Sequence, residues 1–389
     1  IFEHWRHRYP PGVTHNTEHW FMVCVPADFI PCLSDKEHVG FAWLNAEQAA
    51  ARCFSPNNAQ AILQLAKKLG KANGIVASSQ VNHATPASFL AHNKSRRNYN
   101  EIADMYLDYR IEGKTVADVI LGGGTDYFIR DDRNLVNEFK QLGFQYTDSW
   151  QQLDTLTKTP AMALLAETAL PAVLNSVQDK QLATLTEKAL QLLTPAKKGF
   201  VLMVEGSQID WCGHDNDIAC AMAEMDDFAK AIAVAKAYVD EHPDTILVIT
   251  ADHETGGMSL GAAGEYQWLP DVVRKVTATG RSIAEQLKKA DSDNAALALW
   301  AKLTSISLTA EEQQALLAAR TQEETILRKL SNQLVAKYSY TGWTTGGHTA
   351  AHRRTAAARD QRRRPGARCE GAAGLAGHRG LGQHAGRIR

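Results

Sequence analysis

From residue 55 onward, five apolar runs alternate with segments of helical periodicity. The runs are G-I-V-A-S-S-Q (74–80), T-V-A-D-V-I-L-G-G-G (115–124), A-M-A-L-L-A-E (161–167), K-G-F-V-L-M-V-E-G (198–206) and D-T-I-L-V-I-T-A-D (244–252). Strands that are apolar on both faces and alternate with helices belong to a parallel sheet covered on both sides. The pattern therefore predicts a three-layer α/β/α fold with a mostly parallel central sheet. Ser55-Pro56 supplies an N-cap and a first-turn proline, and the amphipathic helix that follows closes at Gly70. Between the fourth and fifth runs, Ile218, Met222, Met225, Phe228, Ile232 and Ala235 recur at three- and four-residue steps. That spacing predicts a helix buried along this stripe, with the methionines as core packing.

Residues 265–338 carry no strand signal and read as a helical insertion before the glycine-rich turn T-G-W-T-T-G-G-H (341–348). Helices are predicted over Val272–Ala290, Ala295–Leu303 and Thr309–Lys337, the last opened by a Thr309-Ala-Glu-Glu312 capping box. The ends break the pattern. Residues 1–54 hold scattered Trp, His, Pro and Cys without periodicity, and 350–389 are Arg, Ala and Gly with no Val, Phe, Tyr, Trp or Met. The division is thus an atypical flank at 1–54, a catalytic-type domain at 55–349, and a disordered tail at 350–389. A frame change or cloning junction explains the break at the tail, as does an anion-binding arm.

Charge sharpens this division. The tail's ten arginines against Asp360 and Glu370 give +8, so the chain's net −1 leaves −9 for residues 1–349. Charge alone would let the tail meet nucleic acid, but no aromatic residues interleave its arginines to stack on bases, which argues against that partner. No apolar run approaches the roughly 18–20 residues of a membrane span. Neither a leader nor an initiator methionine precedes Ile1, so the chain reads as a fragment or processed form. Without a C-x-x-C spacing there is no zinc-ribbon or redox signature; Cys212 and Cys220, eight residues apart, are expected as free buried thiols because one helix would strain a bridge between them.

The densest chemistry lies in V-E-G-S-Q-I-D-W-C-G-H (204–214) and T-A-D-H-E-T (250–255), each following an apolar run. Singly, Asp210 and His214 at i and i+4 read as a surface pair, Asp252-His253 as a turn cap, and His348 as a loop histidine. Together with Glu205 they are hard or borderline metal ligands placed where open α/β sheets gather ligands, beyond the carboxyl ends of strands. A second segment, Q-V-N-H-A-T-P-A-S-F-L-A-H-N-K-S-R-R (80–97), sets Asn82, His83 and Thr85 after a strand, with Arg96 and Arg97 one helix of about three turns further on.

N-H-A-T-P-A-S-F-L-A-H-N-K-S-R, V-E-G-S-Q-I-D-W-C-G-H, T-A-D-H-E-T and G-G-H-T, in this order, resemble the alkaline phosphatases over residues 55–349. The resemblance implies one zinc held by Asp210, His214 and His348, a second held by Asp252 and His253, and a magnesium ion at Thr85 and Glu205. It makes Arg96 the phosphate-binding arginine, and puts His83 and Trp211 where they tune the magnesium side and the phosphate-bound water. It also implies hydrolysis of small phosphate monoesters through a phosphoserine, periplasmic or secreted location, and homodimeric assembly. Two zinc ions would clamp the attacking and leaving oxygens of an in-line displacement, and a guanidinium fork suits a phosphate dianion better than an ammonium does.

Two family segments are not recognisable: the D-G-M-G type aspartate motif and the D-S-A nucleophile segment. Ser34, in C-L-S-D-K-E, is the only serine near the expected place, and its context does not match. The chain is therefore expected to turn over more weakly than an intact relative and to be marginally stable. A metal-binding remnant without a nucleophile is the alternative, as is a phosphodiesterase or sulfatase of the same superfamily; Arg96 and the Thr85/Glu205 pair favour the monoester.

Overall fold

The structure, a computed structural model of the chain, describes residues 63–178 and 180–347. All of them fall in one compact unit, Ala46–Arg389. The 1–54 flank with Ser34, the Ser55-Pro56 cap, His348 and the 350–389 tail lie outside the described residues.

Five parallel strands form the central sheet: β1 (Ala72–Gln80), β2 (Val119–Gly123), β3 (Gln145–Thr147), β4 (Ala161–Leu164) and β5 (Phe200–Glu205), in the order β3-β4-β2-β1-β5. The register explains why the runs are apolar throughout. Ile75 pairs with Ile120 and Ile120 with Met162, and all three enter one core with Phe128 and Phe139. Their neighbours Val76, Leu121 and Ala163 point the other way, into a core with Leu185 and Leu193. Alternation thus feeds both faces, and the helices that cover them make the three layers. Four of the five expected runs are strands. β3 was not foreseen, because Gln145–Thr147 is a short, half-buried strand at the sheet's end and carries little apolar signal.

The fifth run is a correction. Residues 245–250 are not a strand, and Ile246, Val248 and Ile249 are exposed. A β-run needs a ladder partner for its backbone groups, and among the described residues no strand pairs with this one. β5 itself ends the sheet and is only half-buried.

Helix α1 (Ala84–Leu90) follows β1, and α2 (Tyr99–Asp108) packs behind it. Helix α3 (Gln181–Leu193) lies against β1; a Cβ on Gly74 would sit 2.8 Å from Leu193 Cδ1, so glycine permits that approach. After β5 come α4 (Gln208–His214) and α5 (Ile218–Glu241). The expected stripe on α5 is only partly buried: Ile218 is enclosed, but Met225 is 48% exposed. Glu224 and Asp227 are buried instead, accepting the N–H groups of Val173 (2.8 Å) and Leu182 (2.9 Å), which open neighbouring helical turns. Polar capping of other segments thus adds to the apolar packing of Ile218 and Phe228 on that helix.

Cys212 and Cys220 are also corrected. They form a disulfide with Cα atoms 5.5 Å apart. The chain turns between them, at Asp215–Asp217, so they sit on two packed helices rather than on one. Asp217 caps α5 through Cys220 N–H (3.0 Å) and also accepts Gly280 N–H (2.7 Å) from the insertion.

The insertion is helical as expected but more finely divided: Pro270–Arg274, Gly280–Lys289, Asp293–Thr304, Ala310–Arg320 and Glu324–Ser339. The predicted first helix breaks where Thr279 caps a new start, and the predicted third breaks at 321–323. The Thr309–Glu312 capping box is formed in both directions. Trp300, Leu287, Leu316 and Leu327 build a separate core beneath these helices.

Burial pushes the Glu224 carboxyl up from 4.5 to about 7. Because its folded value is raised, its stabilising contribution is complete below about pH 4.5 and is lost as pH rises through 7. Glu224→Gln, which keeps an acceptor for Val173, is expected to remove roughly 3 kcal/mol of that pH-dependence. Urea unfolding at pH 5 and pH 8 measures it; an unchanged difference between the two pH values would rule out Glu224 as its source.

Candidate metal and phosphate site

The site is assembled past the carboxyl ends of β1 and β5, where Ala77 pairs with Glu205. Beyond β1 the chain turns: His83 N–H donates to Gln80 O (2.9 Å), Tyr106 Oη–H to Val81 O (2.6 Å), and Asn82 Nδ2–H to Tyr99 O (2.9 Å). This pinning sets His83 as the N-cap of α1 and Thr85 in its first turn. Thr85 then hydrogen-bonds Glu205, which also accepts Ser207 Oγ–H at 2.6 Å. The two residues expected to share magnesium are therefore brought together. Burial pushes the Glu205 carboxyl up, its hydroxyl partners pull it down, and the Asp252 and Asp210 charges push it further up.

Asp210 and His214 lie one turn apart on α4, with His214 Nε2 3.5 Å from Asp210 Oδ2. The helix is anchored by Gln208, whose Nε2–H donates to Leu170 O (2.7 Å). His214 Nδ1 lies 2.6 Å from the Gly346 carbonyl. A carbonyl can only accept, so Nδ1 carries a proton, and Nε2 lies on the Asp210 side. An imidazole oriented through its other nitrogen by a backbone carbonyl is the usual posture of a metal-ligating histidine.

Residues 250–257 complete the cluster. His253 Nε2 lies 3.2 Å from Asp252 Oδ2, and its Nδ1 4.0 Å from Asp210 Oδ1. Thr255 Oγ1–H donates to Asp210 Oδ1 at 2.5 Å and lies 3.2 Å from His253 Nδ1. Thr255 thus couples the two expected zinc pairs, a role the sequence reading missed although the residue closes T-A-D-H-E-T. Gly256 fixes the remaining wall. Its N–H donates to Gly347 O (2.9 Å), and its carbonyl accepts Thr344 and Thr345 N–H (3.0 and 3.1 Å). Its φ is +85°, and a Cβ there would lie 2.6 Å from Gly213 O and 2.7 Å from the Trp343 ring, so only glycine fits.

Arg96 lies in the segment between α1 and α2 rather than at the end of a three-turn helix, since α1 spans only seven residues. That segment is braced by Asn93, Asn98 and Glu101: Asn98 Nδ2–H donates to Asn93 Oδ1 (2.9 Å), and Asn93 Nδ2–H to Glu101 Oε2 (3.0 Å). Burial lowers the His83 imidazole from 6.5 to about 4; the Arg96 charge lowers it further and the Asp210 charge opposes. His83 is therefore neutral near pH 7, and the Arg96 charge lies close enough to act on it. Trp211 meets the His83 ring edge-on at 5.3 Å between centroids.

The donor chemistry fits metal ions in pairs: Asp210 with His214, Asp252 with His253, Glu205 with Thr85. Among the described residues no three His, Cys, Asp or Glu side chains converge as one metal-holding group; the expected third ligand, His348, lies outside them.

Fold and site together define an open parallel α/β protein with a carboxylate–imidazole cluster beyond its strand ends. The family model for alkaline phosphatase matches residues 40–367. Alkaline phosphatase 3 of Bacillus subtilis (strain 168) is 41% identical over 295 residues, covering 75% of this chain and 64% of that protein; alkaline phosphatase 4 of the same organism is 39% identical over 295 residues, covering 75% and 63%. The structure of a cold-active alkaline phosphatase from a psychrophilic Shewanella sp. aligns with TM-score 0.68 at 45% identity, over 74% of this chain and 69% of that one. The chain belongs to the alkaline phosphatase family. It spans just under two thirds of the length of the Bacillus relatives.

Proposed function

We propose that the chain is a phosphomonoesterase of the alkaline phosphatase type, built to work with two zinc ions and one magnesium through a phosphoserine. The observation that carries this reading is the concentration of like charge: Asp210 and Asp252 both act on the buried Glu205 carboxylate. Bound cations would offset that repulsion. Asp210, His214 and His348 would hold one zinc, Asp252 and His253 the other, and Thr85 with Glu205 the magnesium. When bound, such ions lower the pKa of an attacking hydroxyl and stabilise the departing oxygen.

The chain's own residues do the rest. Arg96 binds the phosphate dianion through its planar fork of donors. His83, neutral, adds no competing charge beside it, and Trp211 shields that ring. Thr255 keeps the Asp210 carboxylate turned toward His253. Ser34 remains the candidate nucleophile. Export and dimeric assembly accompany this reading on resemblance alone; no helix among the described residues is long and apolar enough to cross a membrane.

Hydrolysis of an aryl phosphate with added zinc and magnesium tests the proposal. Turnover is expected well below that of an intact relative. Arg96→Ala is expected to lower kcat/KM by a further 10- to 100-fold or so, the range of one charge-assisted phosphate contact. No turnover at all in the parent would favour the metal-binding remnant, and faster cleavage of a diester or sulfate ester would favour the neighbouring enzyme class. Unchanged turnover in Ser34→Ala would exclude that serine.

A further inference from the structure

The corner between α4 and α5, residues 215–217, follows His214 directly and is gripped by the insertion. Arg328, on the insertion's last helix (Glu324–Ser339), donates Nη1–H to Asp215 Oδ2 at 2.9 Å. One turn further along that helix, Asn332 donates Nδ2–H to the Asp215 carbonyl at 2.8 Å. From a second insertion helix, Gly280 N–H reaches Asp217 Oδ2 at 2.7 Å. The two helices meet the corner as one block, because a Cβ at Gly280 would overlap Asn332 Oδ1.

The turn itself does not require these grips. Local bonds already close it, Asp215 N–H to Trp211 O at 3.0 Å and Asp217 N–H to Cys212 O at 2.9 Å. What the insertion adds is a fixed place for the corner, and the Arg328–Asp215 pair suits that task because its side chains are only 15% and 31% exposed, so water screens them less than a surface pair. The same helix also reaches His214 from the other side. Its chain runs on into the 341–347 segment, whose Gly346 carbonyl meets His214 Nδ1 at 2.6 Å. Backbone and ring of His214 are thus located by two arms of one element. Asp210 and Glu205 are braced instead by Thr255 and Ser207.

We propose that Arg328 and Asn332 are positioning residues that hold His214 in place for the expected first zinc, so that the helical insertion sets the affinity of that zinc and not of the second zinc or the magnesium. A metal ligand must be held within about 0.5 Å of its productive place, and a supporting shell that loosens it weakens binding although no ligand atom has changed. The inference rests on the metal assignments of the phosphomonoesterase reading; the clamp on Asp215 does not.

Zinc titration of the full chain against a competing chelator, with magnesium present, tests it. Arg328→Met keeps an apolar stem in place and removes the donor. It is expected to weaken one zinc step about 10-fold while the other zinc step and magnesium stay within about twofold of the parent. Arg328→Lys, which still offers an ammonium to Asp215, should recover most of that loss, and Asn332→Ala should reproduce it with the ion pair intact. Circular dichroism checks that each variant is folded. A loss spread evenly over all three ions, or no loss in either Arg328→Met or Asn332→Ala, would overturn the proposal. Hydrogen exchange of the metal-free chain separates the clamp from the metal reading. Faster exchange at 212–217 in Arg328→Met, with 72–80 unchanged, would uphold the clamp even if the parent bound no zinc, a result that would overturn the metal reading alone. Unchanged exchange at 212–217 would overturn the clamp.

Discussion

Asp210→Asn is expected to weaken zinc binding by at least about 100-fold, with any hydrolysis falling by a comparable factor. Removal of residues that merely orient metal ligands already costs 10- to 100-fold in affinity or activity, and the proposed function makes Asp210 a ligand and an organiser at once. One oxygen accepts Thr255 Oγ1–H at 2.5 Å and the other faces His214 Nε2 at 3.5 Å. Asparagine preserves the volume and so should spare the fold, but its amide removes the negative charge. Because Asp210 also raises Glu205, the variant should relieve part of that upward push. Equilibrium zinc titration with a competing chelator reads the affinity, and circular dichroism checks that the fold persists. Zinc affinity within about threefold of the parent would remove Asp210 from the metal site.

Trp300→Ala is expected to cost about 3–5 kcal/mol, the range for deleting a large aromatic from a closed core. Trp300 is 1% exposed, packs with Leu287, Leu316 and Leu327, and donates its Nε1–H to Ile306 O at 3.1 Å. Both the cavity and the lost hydrogen bond would fall within the insertion. That region carries more than itself. Its last helix leads directly into the 341–347 segment that holds Gly346 against His214 and Gly347 against Gly256. Urea unfolding should show the loss, and zinc affinity should decline at denaturant concentrations that leave the parent intact. A change below about 1 kcal/mol would mean that the insertion core is not a closed one.

Much of this arrangement was legible before any coordinates, for identifiable reasons. β1, β2 and β4 announce themselves because burial on both faces demands uninterrupted apolar runs, and β5 carries the same kind of run although it is only half-buried. The site motifs follow those runs, and the resemblance carried by those motifs is what paired Thr85 with Glu205. What escaped reading depends on partners distant in sequence. The run at 244–252 has strand composition, but a strand exists only with a neighbour to receive its hydrogen bonds. Met225 belongs to a stripe of the right period, yet Glu224 and Asp227 take the buried face because Val173 and Leu182 need acceptors there. The Cys212–Cys220 bridge was hidden by treating eight residues as one helix, when the chain turns at Asp215–Asp217. Thr255 and the Gly346 carbonyl were missed because neither residue type announces itself as an organiser of ligands; only proximity to Asp210 and His214 does.

Counting metal ions in the purified, dialysed chain by elemental analysis tests the central claim most directly. The expected result is two zinc and one magnesium per chain, with zinc lost first in Asp210→Asn and magnesium first in Glu205→Gln. A folded chain that retains neither metal after incubation with both would contradict it.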